Sequence, residues 1–410
     1  MSRSIPIERR DRPWMSTRTV YMAGPLPVPP IDVVRSRLRT YARLNPTSRL
    51  TWTVSEDGRH WELHDVLPDS AVVEREWPVG TSIEQVLDRL YSDESLASPV
   101  AVVCLPEHIA LVSRHGLWDG RNATTISEAV VRAAVCAEYH MWPAHASSRA
   151  PLLKAAIKTF ARHPGKLRDA IADRPVEQTD SSSGTEIAWK PSMQAIVSTI
   201  PNEMIDGAIE RAAAGGIKVS RFSLLSVLLL RTFDELGFEV EPNVNVMADL
   251  RNYLGEGWID GNFVATVPLR LDEKSTPGEL SAVLKRTLKS GRPLASSILS
   301  SMHTGGKRYV PNPMPSTIDA GRKTQLTITD LGVLPRKPLP FTGKGPAIWA
   351  QTAPPAGPSA VTVGFTRTPD VTVVCASGYD TAIDADLLRK SIDALASDPA
   401  GVLADSGGHA

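Results

Sequence analysis

A short apolar run that ends in a histidine, turns on Asp-Gly and leads into a helix constrains this chain more than any other stretch. Residues 109–112, Ile-Ala-Leu-Val, have the continuous apolar character of a buried strand. Ser113, Arg114 and His115 end it, and after three intervening residues Asp119-Gly120 supplies a turn signal. Beyond the turn, Ile126, Ala129, Val130, Ala133 and Ala134 fall on one helical face. A strand end is stiff and can hold a side chain at fixed geometry. Histidine is the side chain whose ordinary pKa suits proton transfer near neutral pH. A lone histidine is usually structural, but the strand-end position and the Asp-Gly behind it point to a base.

The rest of the chain narrows the setting. Its 410 residues suffice for two domains, and 42% hydrophobic with 22% charged residues is a globular composition. Lys plus Arg and Asp plus Glu number 45 each, so no global field draws nucleic acid or acidic membranes. The apolar run 224–230 is broken by Ser226 and is too short to span a bilayer, so no transmembrane segment is expected. The first ten residues lack the apolar core of a signal peptide. Cys104, Cys136 and Cys375 are few and widely spaced, which suits a reducing compartment, and a cytoplasmic location is expected. His140 and His145 flank Trp142-Pro143, and the proline spoils a single-face pair of metal ligands.

Read in order, the chain alternates strands and helices, an α/β pattern. Residues 1–16 are expected to be partly loose. Strands are expected at 17–22, 50–54, 60–66, 72–77, 100–105 and 109–112, with helices at 31–44 and 82–91. Residues 173–190 hold the clearest linker, Asp-Arg-Pro-Val-Glu-Gln-Thr-Asp-Ser-Ser-Ser-Gly, and divide an N-terminal unit, 1–172, from a C-terminal one, 191–396. The second unit reads as strands at 195–200, 243–247, 261–269 and 325–329, a hairpin over 360–376, and helices at 202–214, 220–236, 277–288 and 383–395. Residues 335–358 are rich in Pro and Gly and read as loop, and 397–410 as a frayed tail. Residues 151–170 form a basic amphipathic helix stopped near Pro164-Gly165. Its bland reading is a solvated face. Its functional reading makes Lys154, Lys158, Arg162 and Lys166 contacts for the phosphates of a donor molecule or a lipid surface.

His115-Gly116-Leu117-Trp118-Asp119-Gly120 resembles the HxxxDG core of the HHxxxDG motif. That motif marks thioester-dependent acyltransferases related to chloramphenicol acetyltransferase, among them condensation domains, polyketide-associated acyltransferases, wax ester synthases and the BAHD enzymes. Arg114 stands where most members carry a first histidine, while the catalytic second position is His115. Further segments match in the family's order: Asn45-Pro46-Thr47-Ser48-Arg49, Met247-Ala248-Asp249-Leu250-Arg251, Gly261-Asn262-Phe263-Val264, Thr329-Asp330-Leu331-Gly332 and Gly378-Tyr379-Asp380. That order is more specific than any one motif.

The resemblance implies two α/β subdomains with mixed sheets and flanking helices, and an active-site channel between them. It implies acyl transfer from a thioester, acyl-CoA or an acyl carrier protein's phosphopantetheine arm, to the hydroxyl or amine of a small-molecule acceptor. No metal or redox cofactor is implied. His115 would be the general base, with Asp119 paired to Arg251 as structural support. Gly120 would be needed because a side chain there would crowd the channel. Thr327, Thr329 and Asn262 are candidates for oxyanion donor or channel wall, as is the Gly120 amide. Arg114 sustains the alternative of a binding or recruitment module that keeps the fold without turnover, and the bulk of Trp118 raises the prospect of a narrowed channel.

Overall fold

A computed structural model describes residues 3–96, 98–143, 150–172, 184–255, 257–272, 274–303 and 315–397. The first half runs β1 (Arg3–Pro6), β2 (Arg18–Gly24), α1 (Ile31–Leu44), β3 (Trp52–Val54), β4 (His60–Leu63), β5 (Val72–Glu74), α2 (Ile83–Ser92), β6 (Val100–Cys104), β7 (Ile109–Arg114), α3 (Gly120–Val131), α4 (Pro151–Ala156) and α5 (Gly165–Ala172). The second half runs β8 (Glu186–Ala188), β9 (Met193–Pro201), α6 (Asn202–Ala214), α7 (Arg221–Glu235), β10 (Asn243–Asp249), β11 (Val264–Arg270), α8 (Pro277–Ser290), α9 (Arg292–His303), β12 (Thr317–Asp319), β13 (Gln325–Val333), β14 (Ile348–Thr352), β15 (Ala360–Arg367), β16 (Val371–Tyr379) and α10 (Ala385–Ser397).

Two mixed sheets carry the architecture. The first has the order β14-β2-β7-β6-β5, the second β11-β10-β13-β15-β16-β9. In the second, β10, β13 and β15 are parallel and the outer strands antiparallel. Alternation decides what each face meets. Leu326 and Ile328 of β13, with Val361, Val363 and Phe365 of β15, join α7 and α10 in one apolar core. The intervening Thr327, Thr329 and Thr362 point the other way, into a cavity. In the first sheet, Tyr21, Ala23, Ile109 and Leu111 pack on α1 and α3. Val20, Met22, Ala110 and Val112 pack on α2 together with Val371, Val373, Cys375 and Ala195 of the second sheet. The halves therefore share a core.

Several expectations are corrected. Residues 348–352, read as loop, are β14, an antiparallel edge strand laid on β2 of the first sheet. The expected division at the linker is thus crossed by a strand exchange. The basic segment is broken: α4 passes into a π-helical stretch, Ile157–Ala161, and α5 starts after Pro164. Both pack against α9, and α5 also against α8, so this part of the N-terminal unit lies on the C-terminal half. Residues 292–303, which carry no element expected from the sequence, form α9. Residues 1–16 are not loose where described: β1 pairs with β4, Ile7 is buried and Asp11 has no exposure. Within the expected linker, β8 pairs with β12, while 173–183 lie outside the described residues, as do 398–410 of the expected tail. Among the described residues, no helix is long and apolar enough to cross a membrane.

Candidate active site

The loop after β7 is held at both ends. The His115 amide donates to the Thr17 carbonyl at 2.9 Å, and Leu117 N–H to Arg114 at 3.1 Å. Asp119 is the N-cap of α3, its Oδ1 accepting the Asn122 amide at 3.0 Å. Its Oδ2 accepts from Arg251 Nη1 at 2.8 Å and from the Phe263 amide at 2.9 Å. Asp119 has no exposure and Arg251 only 5%. Arg251 also donates to the Ile259 carbonyl at 2.6 Å and to Asp249 at 3.1 Å. Burial alone would lower the Arg251 pKa, but Asp119 and Asp249 outweigh it and the guanidinium stays charged. One carboxylate thus caps a helix of the first half and ties it to the second.

The N-terminal segment supplies the roof. Trp14 stacks on His115 with ring centroids 4.4 Å apart and 19° between planes. Buried Asp11 accepts from Asn262 N at 2.7 Å and from Arg49 Nη1 at 3.4 Å. Arg49 continues to the Leu117 carbonyl at 3.1 Å. Gly261 has φ +78°, and a Cβ there would stand 2.7 Å from the Asp11 carboxylate, so only glycine lets the two segments meet. A Cβ on Gly116 would stand 2.3 Å from Met15 Sδ.

His115 is partly exposed, while its Nδ1 is buried with no hydrogen-bond partner among the described residues. Burial lowers its pKa. Its own carbonyl, the charge of Asp119, the Asn262 amide and Asp11 oppose that shift without reversing it. The shift favours the unprotonated imidazole, the form a proton acceptor needs.

A cavity of about 600 Å³ lies between the two sheets. His115, Gly120, Thr327 and Thr329 line it, with Trp14, Tyr21 and Gln351. A Cβ on Gly120 would lie 3.3 Å from Leu331 Cδ2, so crowding there comes from the second half. Asp119, Arg251 and Asn262 stand behind the wall. Asn262 is corrected as a channel or oxyanion candidate: its Nδ2 donates to the His115 carbonyl at 3.0 Å and to Asp11 at 3.2 Å, so it props the loop. Lys154, Lys158, Arg162 and Lys166 line no part of this cavity, and Lys158 Nζ donates to the Leu254 carbonyl at 2.9 Å. Arg114 is exposed and donates to the Met15 carbonyl at 3.2 Å. Trp118 does not narrow the cavity. It is buried and donates from Nε1 to the Ser48 carbonyl at 3.2 Å.

Sequence reasoning missed Asp11, Trp14 and Gln351. A tryptophan after Pro13 in an otherwise polar, basic segment was the available signal for the first two. The alternation Leu-Thr-Ile-Thr in β13 and Val-Thr-Val-Gly-Phe-Thr in β15 marked a sheet with one polar face. His140 borders a separate, smaller hollow, and His145 lies outside the described residues.

No family model matches this chain, and no curated protein does. Solved structures match along its whole length. The condensation domain of the Monacolin K polyketide synthase MokA aligns over 99% of this chain and 98% of its own, at TM-score 0.62 and 10% identity. The first condensation domain of the calcium-dependent antibiotic synthetase, in complex with a substrate analogue, covers 98% and 95%, at TM-score 0.60 and 16% identity. The epimerization domain from the third module of tyrocidine synthetase B covers 99% and 97%, at TM-score 0.59 and 10% identity. The chain therefore has the two-subdomain, chloramphenicol acetyltransferase-like α/β fold of condensation domains. At these identities the likeness is one of fold.

Proposed function

We propose that this chain moves an acyl group from a thioester to a hydroxyl or amine, with His115 as general base. The observation that carries the reading is His115 itself: an imidazole just past a strand end, its loop fixed by Asp119–Arg251, lining the cavity between the sheets. In this mechanism the unprotonated ring nitrogen takes the proton from the acceptor O–H or N–H as that atom attacks the thioester carbonyl. The tetrahedral intermediate carries its negative oxygen against a donor on the wall, the Gly120 amide or the Thr329 hydroxyl. Collapse breaks the carbon–sulfur bond, and the departing thiolate recovers the proton from His115. Asp119 positions the loop and takes no proton.

The donor is acyl-CoA or a phosphopantetheine-linked acyl group, and no bound cofactor enters the reaction. The structural neighbours belong to synthetases and a polyketide synthase, which supports a natural-product setting. The test is thiol release from a panel of acyl thioesters by the pure protein, with and without small alcohols and amines. His115→Ala is expected to lose ~10²–10⁴-fold in rate while its melting temperature stays within a few degrees. Turnover at the parent rate by that variant would overturn the mechanism. A folded parent that turns over no thioester would leave the recruitment-module reading.

A further inference from the structure

We infer that Gln351 and Thr327 form a polar subsite in the cavity that recognises an oxygen carried within the chain of the substrate, away from the reacting carbon. The inference rests on the acyl-transfer reading and names a substrate class for it. Gln351 is 3% and Thr327 7% exposed, and both line the cavity. Gln351 Nε2 and Thr327 Oγ1 are buried with no hydrogen-bond partner among the described residues. Buried polar groups in folded proteins are almost always paired, so two orphans lining one cavity call for a ligand group that pairs them.

Their placement is built. Gln351 sits on the exchanged strand β14 and reaches across to the second sheet. Its Nε2 would lie 2.2 Å from a Cβ on Gly364, with Thr329 Cγ2 3.5 Å from the same point. Gly364 is the ladder partner of Thr329, and the adjacent cavity-facing pair is Thr327 with Thr362. The absent side chain at Gly364 is what admits the amide. The backbone anchor of Gln351 is also set apart from that of the base. Gln351 faces Tyr21 across the β14–β2 ladder, whereas His115 is tied to Thr17, four residues earlier. At a rise of ~3.3 Å per residue that is about 13 Å along the strand. The strand position that carries Gln351 is thus set back along β2 from the loop that carries His115.

The groups on offer are N–H and O–H donors, so their complement is an accepting oxygen: a keto, amide or hydroxyl oxygen partway along the donor's acyl chain or along the acceptor. A saturated chain laid through the cavity would displace solvent from both orphans and leave them unpaired. Sites of this kind discriminate strongly against the analogue that lacks the partner.

The experiment uses the full chain. In the donor arm, kcat/KM is compared for the decanoyl thioester of N-acetylcysteamine and its keto isomers, the oxygen stepped along the chain. In the acceptor arm the donor is fixed, and decanol is compared with its keto and amide counterparts. One oxygen position is expected to be favoured about ten- to hundredfold over the saturated chain, and the arm that shows it identifies which chain carries the oxygen. Gln351→Leu and, independently, Thr327→Val are expected to collapse that ratio towards one. The ratio, rather than the absolute rate, is the readout. A preference absent from both arms, or one that survives both substitutions, overturns the subsite. Calorimetric binding of the matching decanoyl and ketodecanoyl amides needs no turnover. If those amides bind with the same preference while no thioester reacts, the subsite stands and the acyl-transfer reading falls. If they bind equally, the subsite falls as well.

Discussion

His115 takes its protonation state from what covers it. Burial beneath Trp14 and behind the loop lowers its pKa from the ordinary histidine value of 6.5. The base form then holds at neutral pH, and kcat/KM should be flat there, falling only on a limb below 6.5. Trp14→Ala exposes one face of the ring and relieves part of that burial, so the limb should move up towards 6.5. Rate profiles of parent and variant against pH decide the matter, and an unmoved limb would mean that Trp14 sets position only. The same depression acts on stability with a definite sign. The unfolded chain binds the proton more readily, so the contribution from this histidine is complete above 6.5 and diminishes as pH falls below it. The histidine, Asp119 and Gly120 were legible because they stand within six residues of one another on a strand-turn-helix pattern. Asp11, Trp14 and Gln351 were not. They reach the site from segments about 100 residues before it and more than 200 after it, and no local periodicity announces such a meeting.

Asp119 couples elements that are far apart in the chain: it caps α3, and it meets Arg251 just after β10. Asp119→Ala removes the cap and strands a buried guanidinium, and breaking a buried pair from one side typically costs roughly 3–5 kcal/mol. The Asp119→Ala, Arg251→Ala double variant should be less destabilised than the sum of the two single changes, read from denaturant or thermal melts. Additive losses would dissolve the pairing without touching the role of His115. Elements differ in how openly the sequence displays them. Helices α1 and α6 are readable to their end residues because an apolar stripe repeats within each. Helix α9 escaped because α8 ends at Gly291, φ +81°, and the chain turns directly into a serine-rich second helix. Strand β14 escaped because five residues between proline- and glycine-rich flanks carry no period long enough to register, and their partner strand lies more than 300 residues earlier.

At the scale of the molecule, the two subdomains are bound to each other by an exchanged strand as well as by packing. Strand β14 closes the edge of β2, and Trp349, with no exposure, sits in the core of the first half. A fragment of residues 1–172 therefore lacks an edge strand and a core tryptophan from its own sheet. Expressed alone it should aggregate or bind hydrophobic dyes, because an open strand edge pairs indiscriminately. Co-expression with 184–410 should return a soluble complex, and a stable, monomeric 1–172 would show the exchange to be dispensable. The same exchange sets a timetable for the protein as it is made. The strand that closes the first sheet follows its partner β2 by more than 300 residues. A nascent chain must carry an open sheet while those residues are added, a long exposure to mispairing that chaperones exist to cover. A ribosome that stalls or terminates before Ile348 is added would therefore release a chain whose first sheet cannot close.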